Sequence, residues 1–282
     1  MQTKEYRVNR TTNGQTLQDF LVQQLKVSRK AAKNLMDRRT VFVNGNRVWM
    51  ARHTLKTDDV VSVLMESPPP RAGKAQPAKR ISVLWQDEHY LVVNKPANLL
   101  SVGNISLERK IREQQADTTL RAVHRLDRDT TGCLIVARSP ESFEQILPLF
   151  RARSLSKTYH AIVHGHMQTG EHRISKPLGG QTAVSHVRVL DSGDDAAHVS
   201  VKIETGRTHQ IRIHLASFRH PVMGDPKYAG EVEKKGGVMP IPRQMLHARS
   251  LIFTHPYTGK IIRCEAPLPA DFRACLKSFR LT

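Results

Sequence analysis

Apolar positions keep a helical period near the start of the chain and then give way to short β-prone runs. Leu17, Phe20, Leu21 and Leu25 recur at helical spacing over about three turns. Ser28 is placed to cap a second helix, in which Ala32, Leu35 and Met36 form the apolar stripe. Its other faces carry Arg29, Lys30 and Lys33, and Arg38 and Arg39 follow its end. Val41-Phe42-Val43 and Arg47-Val48-Trp49 flank Asn44-Gly45, a strong hairpin signal, and Val60 to Leu64 supply a further strand. Two short helices on a small sheet are predicted. Periodicity then disappears over residues 67–80, SPPPRAGKAQPAKR, a proline-rich basic stretch that reads as a linker spanning roughly 20 Å.

The remainder is richer in strands. Ile81 to Leu84 and Tyr90 to Val93 read as strands joined by a turn at Gln86-Asp87-Glu88, and Asn94-Lys95-Pro96-Ala97 ends the second. Residues 101–119 are polar and predict a loop with a short charged helix. Cys133 to Ala137 is wholly apolar, the pattern of a buried strand. Ser139-Pro140 opens a helix with Phe143, Ile146, Leu147 and Phe150 along one stripe. Lys157 to Val163 alternates as a strand, so Lys157 and Tyr159 share a face. His198 to Leu215 reads as two strands around Glu204-Thr205-Gly206. On the second, Ile211, Ile213 and Leu215 form one face, and Gln210, Arg212 and His214 the other. Leu251 to Thr254 and Lys260 to Glu265 add two more strands.

Charge changes this picture most. Among 282 residues, 44 Lys and Arg against 25 Asp and Glu give a net charge of +19. Self-repulsion on that scale points to a polyanionic partner, and nucleic acid is the first candidate. No basic amphipathic helix long enough to lie on a membrane is evident, and no apolar run approaches a bilayer span. The opening segment is polar, unlike a secretory signal. Cys133, Cys264 and Cys275 have no zinc-ligand spacing and read as reduced thiols, so a soluble cytoplasmic protein is expected.

Candidate chemistry concentrates in residues 124–132, HRLDRDTTG, directly before the apolar run. Two carboxylates interleave with two guanidiniums at the mouth of a predicted buried strand. That arrangement presents an acid with chosen neighbours to a ligand, although a solvated turn would carry the same charges. No GxSxG elbow, HExxH, P-loop or dinucleotide fingerprint is present. Asp127 and Asp129, about 7 Å apart if extended, would suit a glycosidase pair. Sugar hydrolysis leaves the charge and the basic first domain unexplained.

Residues 91–100 (LVVNKPANLL), HRLDRDTTG, KTYHAIVHG, TGRTHQIRIHLA, HPVMGDPKY and LHARSLIFTHPYTG follow one another in an order that resembles the RluA-type RNA pseudouridine synthases, over residues 81–268. Residues 12–65 resemble the S-four-type RNA-binding domain. The resemblance implies an α+β protein: an RNA-binding domain at 1–66, the linker at 67–80, and a catalytic domain at 81–282 with a mixed, mainly antiparallel sheet flanked by helices. It implies isomerisation of uridine in RNA without metal, nucleotide or redox cofactor. Asp127 would be the catalytic carboxylate, either attacking the anomeric carbon or taking a proton from the neighbouring ribose carbon. Arg212 would pair with Asp127, and Tyr159 would stack on the uracil and assist at carbon 5. Arg125 would help displace the flipped nucleotide, Ile213 would wall the base, and Arg29, Lys30 and Lys33 would contact RNA. Large-subunit ribosomal RNA is the first target, transfer RNA the alternative, and a catalytically silent RNA-binding or ribosome-assembly factor the rival from another class. A monomer is expected. One departure stands out: after Leu100 the family usually continues with Val-His-Pro, whereas this chain has Ser101-Val102-Gly103.

Overall fold

The small helices, the hairpin and the strand expected near the start all form. The computed structural model describes residues 2–37, 40–65, 80–152, 154–230 and 241–282. The chain divides into two units, Met1–Pro77 with Gly230–Arg243, and Ala78–Ala229 with Gln244–Thr282. Of the expected linker only Arg80 is among the described residues, and Arg38 and Arg39 lie outside them.

In the first unit, β1 (Gln2–Arg7), α1 (Leu17–Leu25), α2 (Arg29–Asp37), β2 (Val41–Val43), β3 (Asn46–Arg47) and β4 (Val60–Met65) follow in order. Thr16 caps α1 by accepting from the Asp19 amide, and Ser28 accepts from the Ala31 amide at the start of α2. The four strands form an antiparallel sheet in the order β1-β4-β2-β3. Leu17, Phe20, Leu21, Ala32 and Met36 from the helices pack on Val41, Val43, Val61 and Val63. The pattern of apolar positions missed β1. Its residues are mostly exposed, and it is held as an edge strand by backbone pairing to β4.

The second unit contains β5 (Ser82–Gln86), β6 (Tyr90–Lys95), α3 (Leu107–Gln115), β7 (Arg121–Ala122), β8 (Thr131–Ala137), α4 (Pro140–Arg151), β9 (Ser156–His164), β10 (Glu171–Ser175), β11 (Val184–Ser192), β12 (Ala196–Ile203), α5 (Gln210–Ser217), β13 (Leu246–Thr254), β14 (Ile261–Glu265) and α6 (Ala270–Ser278). One mixed sheet runs β10-β11-β12-β9-β13-β8-β6-β5, with β14 on β13 and β7 on β8. Among the described strands only β8 and β13 pair in parallel; the fold is α+β.

Burial on both faces explains the continuous apolar run of β8. Leu134 and Val136 join the core that contains Leu91, Tyr159 and Val201. Cys133, Ile135 and Ala137 face a second core with Tyr90, Phe143, Ile146 and Phe253. At the parallel junction Gly132 has φ +110°, and a Cβ there would lie 2.2 Å from the Ala248 carbonyl oxygen. No other residue type fits that approach. Among the described residues no helix is long and apolar enough to cross a membrane.

Residues 210–217 form a helix, not the expected strand. Eight residues are too few to separate a period of 2 from one of 3.6, and the polar positions are buried with partners, not displayed. The Gln210 side-chain amide donates to the Val184 carbonyl and accepts from Thr205 Oγ1 and the Arg207 amide. His214 lies within hydrogen-bond distance of Ser185 Oγ and the Lys176 carbonyl.

Candidate active site

The loop 124–130 leads into β8 and is held at several backbone points. Ser101, only 3 % exposed, accepts from the Leu126 amide and donates to the Leu126 carbonyl. The buried Lys95 ammonium, at the end of β6, donates to the carbonyls of Pro96 and Arg128. Leu99 N–H also donates to the Arg128 carbonyl, and the Thr130 amide turns back to the Asp127 carbonyl. Gln244 donates to Thr130 Oγ1. Ser101 is thus a clamp on the acidic loop.

These restraints leave the Asp127 side chain 23 % exposed on the wall of a cavity of about 320 Å³. Arg212 Nη1 donates to Asp127 Oδ2 at 2.9 Å. The rest of that guanidinium is committed elsewhere: Nε and Nη2 donate to the two oxygens of Asp225 at 2.5 and 2.8 Å. The Asp225 side chain is fully buried and that of Arg212 is 6 % exposed. Burial alone would disfavour the Arg212 charge, but the hydrogen bonds and charge of Asp225 and Asp127 outweigh it and push its pKa up. Asp225 also accepts from the amides of Lys227 and Tyr228, which fixes the segment that carries it.

His209 completes this corner. It caps α5 in the left-handed region at φ 56°, with Nε2 3.8 Å from Asp127 Oδ1 and Nδ1 2.9 Å from the Tyr228 hydroxyl. Burial lowers its pKa against the opposing pull of Asp127, so the ring is neutral at pH 7.

On the facing strand β9, Tyr159 is 8 % exposed and lines the same cavity. Burial, then the Asp127 charge, raises its pKa, and the phenol stays protonated. Lys157, Phe150, His124, Ile203, Ile211 and Leu246 complete much of the lining. The Ile135 amide donates to His124 Nε2, and burial pushes that imidazole down to about 3.

Asp127, Tyr159, Arg212 and the exposed Arg125 therefore meet at one cavity. Ile213 does not join them, which corrects the expected base wall. Turning residues 210–217 into a helix rotates Ile213 away and puts Ile211 on the lining. Arg29, Lys30 and Lys33 lie on the exposed side of α2 in the first unit. Arg29 is paired there with Asp19 at 2.9 Å, so Lys30 and Lys33 offer the less engaged charges. Sequence reasoning missed Asp225, His209, Lys95 and Ser101. Asp225 sits within HPVMGDPKY, and the signal available was an unassigned acid beside a glycine turn.

Residues 89–217 match the RNA pseudouridylate synthase family. The chain is 32% identical to an uncharacterized RNA pseudouridine synthase of Bacillus subtilis, YhcT, over 98% of this chain and 97% of that one. It is 37% identical to ribosomal large subunit pseudouridine synthase D of Pseudomonas aeruginosa, covering 71% of this chain and 72% of that protein. Among solved structures, human RNA pseudouridylate synthase domain containing 4 superposes with a TM-score of 0.59 at 28% identity, over 71% of this chain and 94% of that one.

Proposed function

The chain belongs to the RNA pseudouridylate synthase family, and from that premise we propose that it isomerises chosen uridines of large-subunit ribosomal RNA, with Asp127 as the catalytic carboxylate. The observation that carries this is the position of Asp127: partly exposed in a nucleoside-sized cavity, and oriented by an arginine that Asp225 immobilises from behind. The similarity to ribosomal large subunit synthases supports the choice of RNA.

In the reaction the bond from uracil N1 to ribose C1′ breaks and a bond from uracil C5 to C1′ forms. C5 loses a proton and N1 gains one, so the change is balanced without an external reactant. Asp127 serves the first step as nucleophile at C1′ or as base at C2′. Arg212 keeps the carboxylate aimed. Tyr159, neutral at pH 7, serves as the stacking wall over the uracil; to take the C5 proton it would first have to pass on its own. Ile211 and Leu246 close the apolar side of the pocket. Arg125, exposed at the cavity, is assigned to the space the flipped nucleotide leaves. A paired uridine must leave its stack, at a cost of a few kcal/mol that phosphate contacts offset.

Residues 1–66 are assigned to RNA binding in the manner of an S-four-type domain joined through the linker 67–80, with Lys30 and Lys33 as the contacts and Arg29 beside them. The activity is assigned to a single chain in the cytoplasm. The buried cysteines Cys133, Cys264 and Cys275, none of them in a disulfide, suit such a reducing compartment.

Tritium release from RNA carrying C5-tritiated uridine tests the proposal. The wild-type chain is expected to release tritium from large-subunit ribosomal RNA, and Asp127→Asn to release none while still binding. Release by Asp127→Asn at the wild-type rate would overturn the assignment. A wild-type chain that binds without release would favour the silent assembly factor. Pseudouridine mapping in cells with and without the protein decides between ribosomal and transfer RNA.

A further inference from the structure

Lys157 lines the cavity with Asp127 and Tyr159, yet the chemistry above gives it no part. Its ammonium stands in an environment that ordinarily demands a counter-charge. It lies 5.3 Å from the centre of the Phe150 ring, and a Cβ built on Gly206 would be 3.6 Å from it. His124, beside it, is held neutral and supplies no negative charge. Among the described residues, no hydrogen bond or ion pair reaches this ammonium. Arg212 is the informative contrast, because in the same cavity it is matched by two carboxylates. Burial without a partner lowers the Lys157 pKa. Lys157 is half-buried on the cavity wall, and a partly desolvated cation with no counter-charge beside it is a ready partner for an anion from outside the chain.

We propose that Lys157 is a binding residue for a phosphate oxygen of the flipped nucleotide, supplying inside the cavity the contact that offsets unstacking. The proposal rests on the RNA reading of the site. Two features favour phosphate over a carbonyl oxygen of the base. A phosphodiester carries the full negative charge that the surroundings of this ammonium lack. The cations Arg125 and Arg207 line the same cavity and extend the positive lining to exposed positions, where the RNA strand would enter. Tyr159, two positions along β9, would then hold the base while Lys157 holds the backbone. That separation of about 7 Å is comparable to the reach from a base to its phosphate.

Binding of transcribed large-subunit ribosomal RNA as a function of salt, together with tritium release, tests this. Lys157→Met is expected to raise the dissociation constant about tenfold. It should reduce the slope of log affinity against log salt by about 0.7–0.9, one phosphate's share. KM should rise in parallel, and kcat should fall less than threefold. Lys157→Arg should recover most of the slope. Since Met removes an unmatched charge, the free protein should melt no lower than wild type. An unchanged dissociation constant and slope would overturn the proposal, as would a large loss of kcat with KM and slope intact, which would move Lys157 to the base. Failure of the enzymatic reading shows separately, as wild-type binding without tritium release.

Discussion

The two units hold positive charge in opposite ways. In the second, Arg212 is enclosed and spends three donors on two carboxylates, one of them fully buried. In the first, Arg29 stands with its side chain 76% exposed beside a single aspartate, and Lys30 and Lys33 point to solvent. An exposed pair contributes about 0–1 kcal/mol and is screened by salt. A buried pair is worth little net, but breaking it by removing one member costs about 3–5 kcal/mol. Enclosed charge therefore sets geometry, whereas exposed charge stays available to a partner from outside.

That contrast can be broken at several points. After loss of Asp127 itself, the largest effect is expected at Asp225. Asp225→Ala should destabilise the second unit by about 3–5 kcal/mol in urea unfolding. Asp225→Asn, which keeps the shape, should lower kcat about 100-fold with little change in KM. A KM effect alone would show that Asp225 does not act through Arg212 on Asp127.

Gly132→Ala should cost about 3 kcal/mol or more, since the new Cβ meets the Ala248 carbonyl. Unfolding at the wild-type urea midpoint would refute the close approach of β8 and β13.

Acid should weaken the second unit. Burial pushes both His124 and His160 down to about 3, whereas in the unfolded chain they titrate near their ordinary value of about 6.5. Between those values the unfolded state binds more protons. The contribution is fully present above about pH 6.5 and is lost as pH falls toward 3. Urea unfolding at pH 7.5 and 5 should show this loss, and a His124→Gln, His160→Gln protein should show less of it. An equal loss in both proteins would place the acid sensitivity elsewhere.

On the exposed side, Lys30→Ala with Lys33→Ala should reduce the salt slope of RNA binding by about 1.4–1.8. No change in slope would make α2 a solvated face. The smallest effect is local: Thr16→Ala removes the α1 cap and should cost about 1 kcal/mol in thermal unfolding.

What could be read from the chain follows the same division. Elements whose signal is local were legible: the Asn44-Gly45 hairpin, the stripe of α4 and the apolar run of β8. Asp127, Tyr159 and Arg212 were legible as motif positions. Their arrangement was not, because it depends on partners far along the chain, such as Arg212 reaching back 85 residues to Asp127. Helix α5 was misread because its polar residues are buried with partners supplied by β11, by Lys176 and by Asp225. Lys95 looked like loop punctuation, yet it ties down the carbonyl of Arg128. A buried polar residue is invisible to a pattern of apolar positions until its partner is known.

The three-point grip on Arg212 also bears on timing. A carboxylate aimed by a mobile side chain would have to be ordered again at every turnover, and the lost freedom would appear each time in the activation entropy. Here the guanidinium is already immobilised by Asp225 before any RNA arrives. Its ordering belongs to the folding of the chain, once in the life of each molecule, and leaves the encounter with RNA to order only the nucleotide.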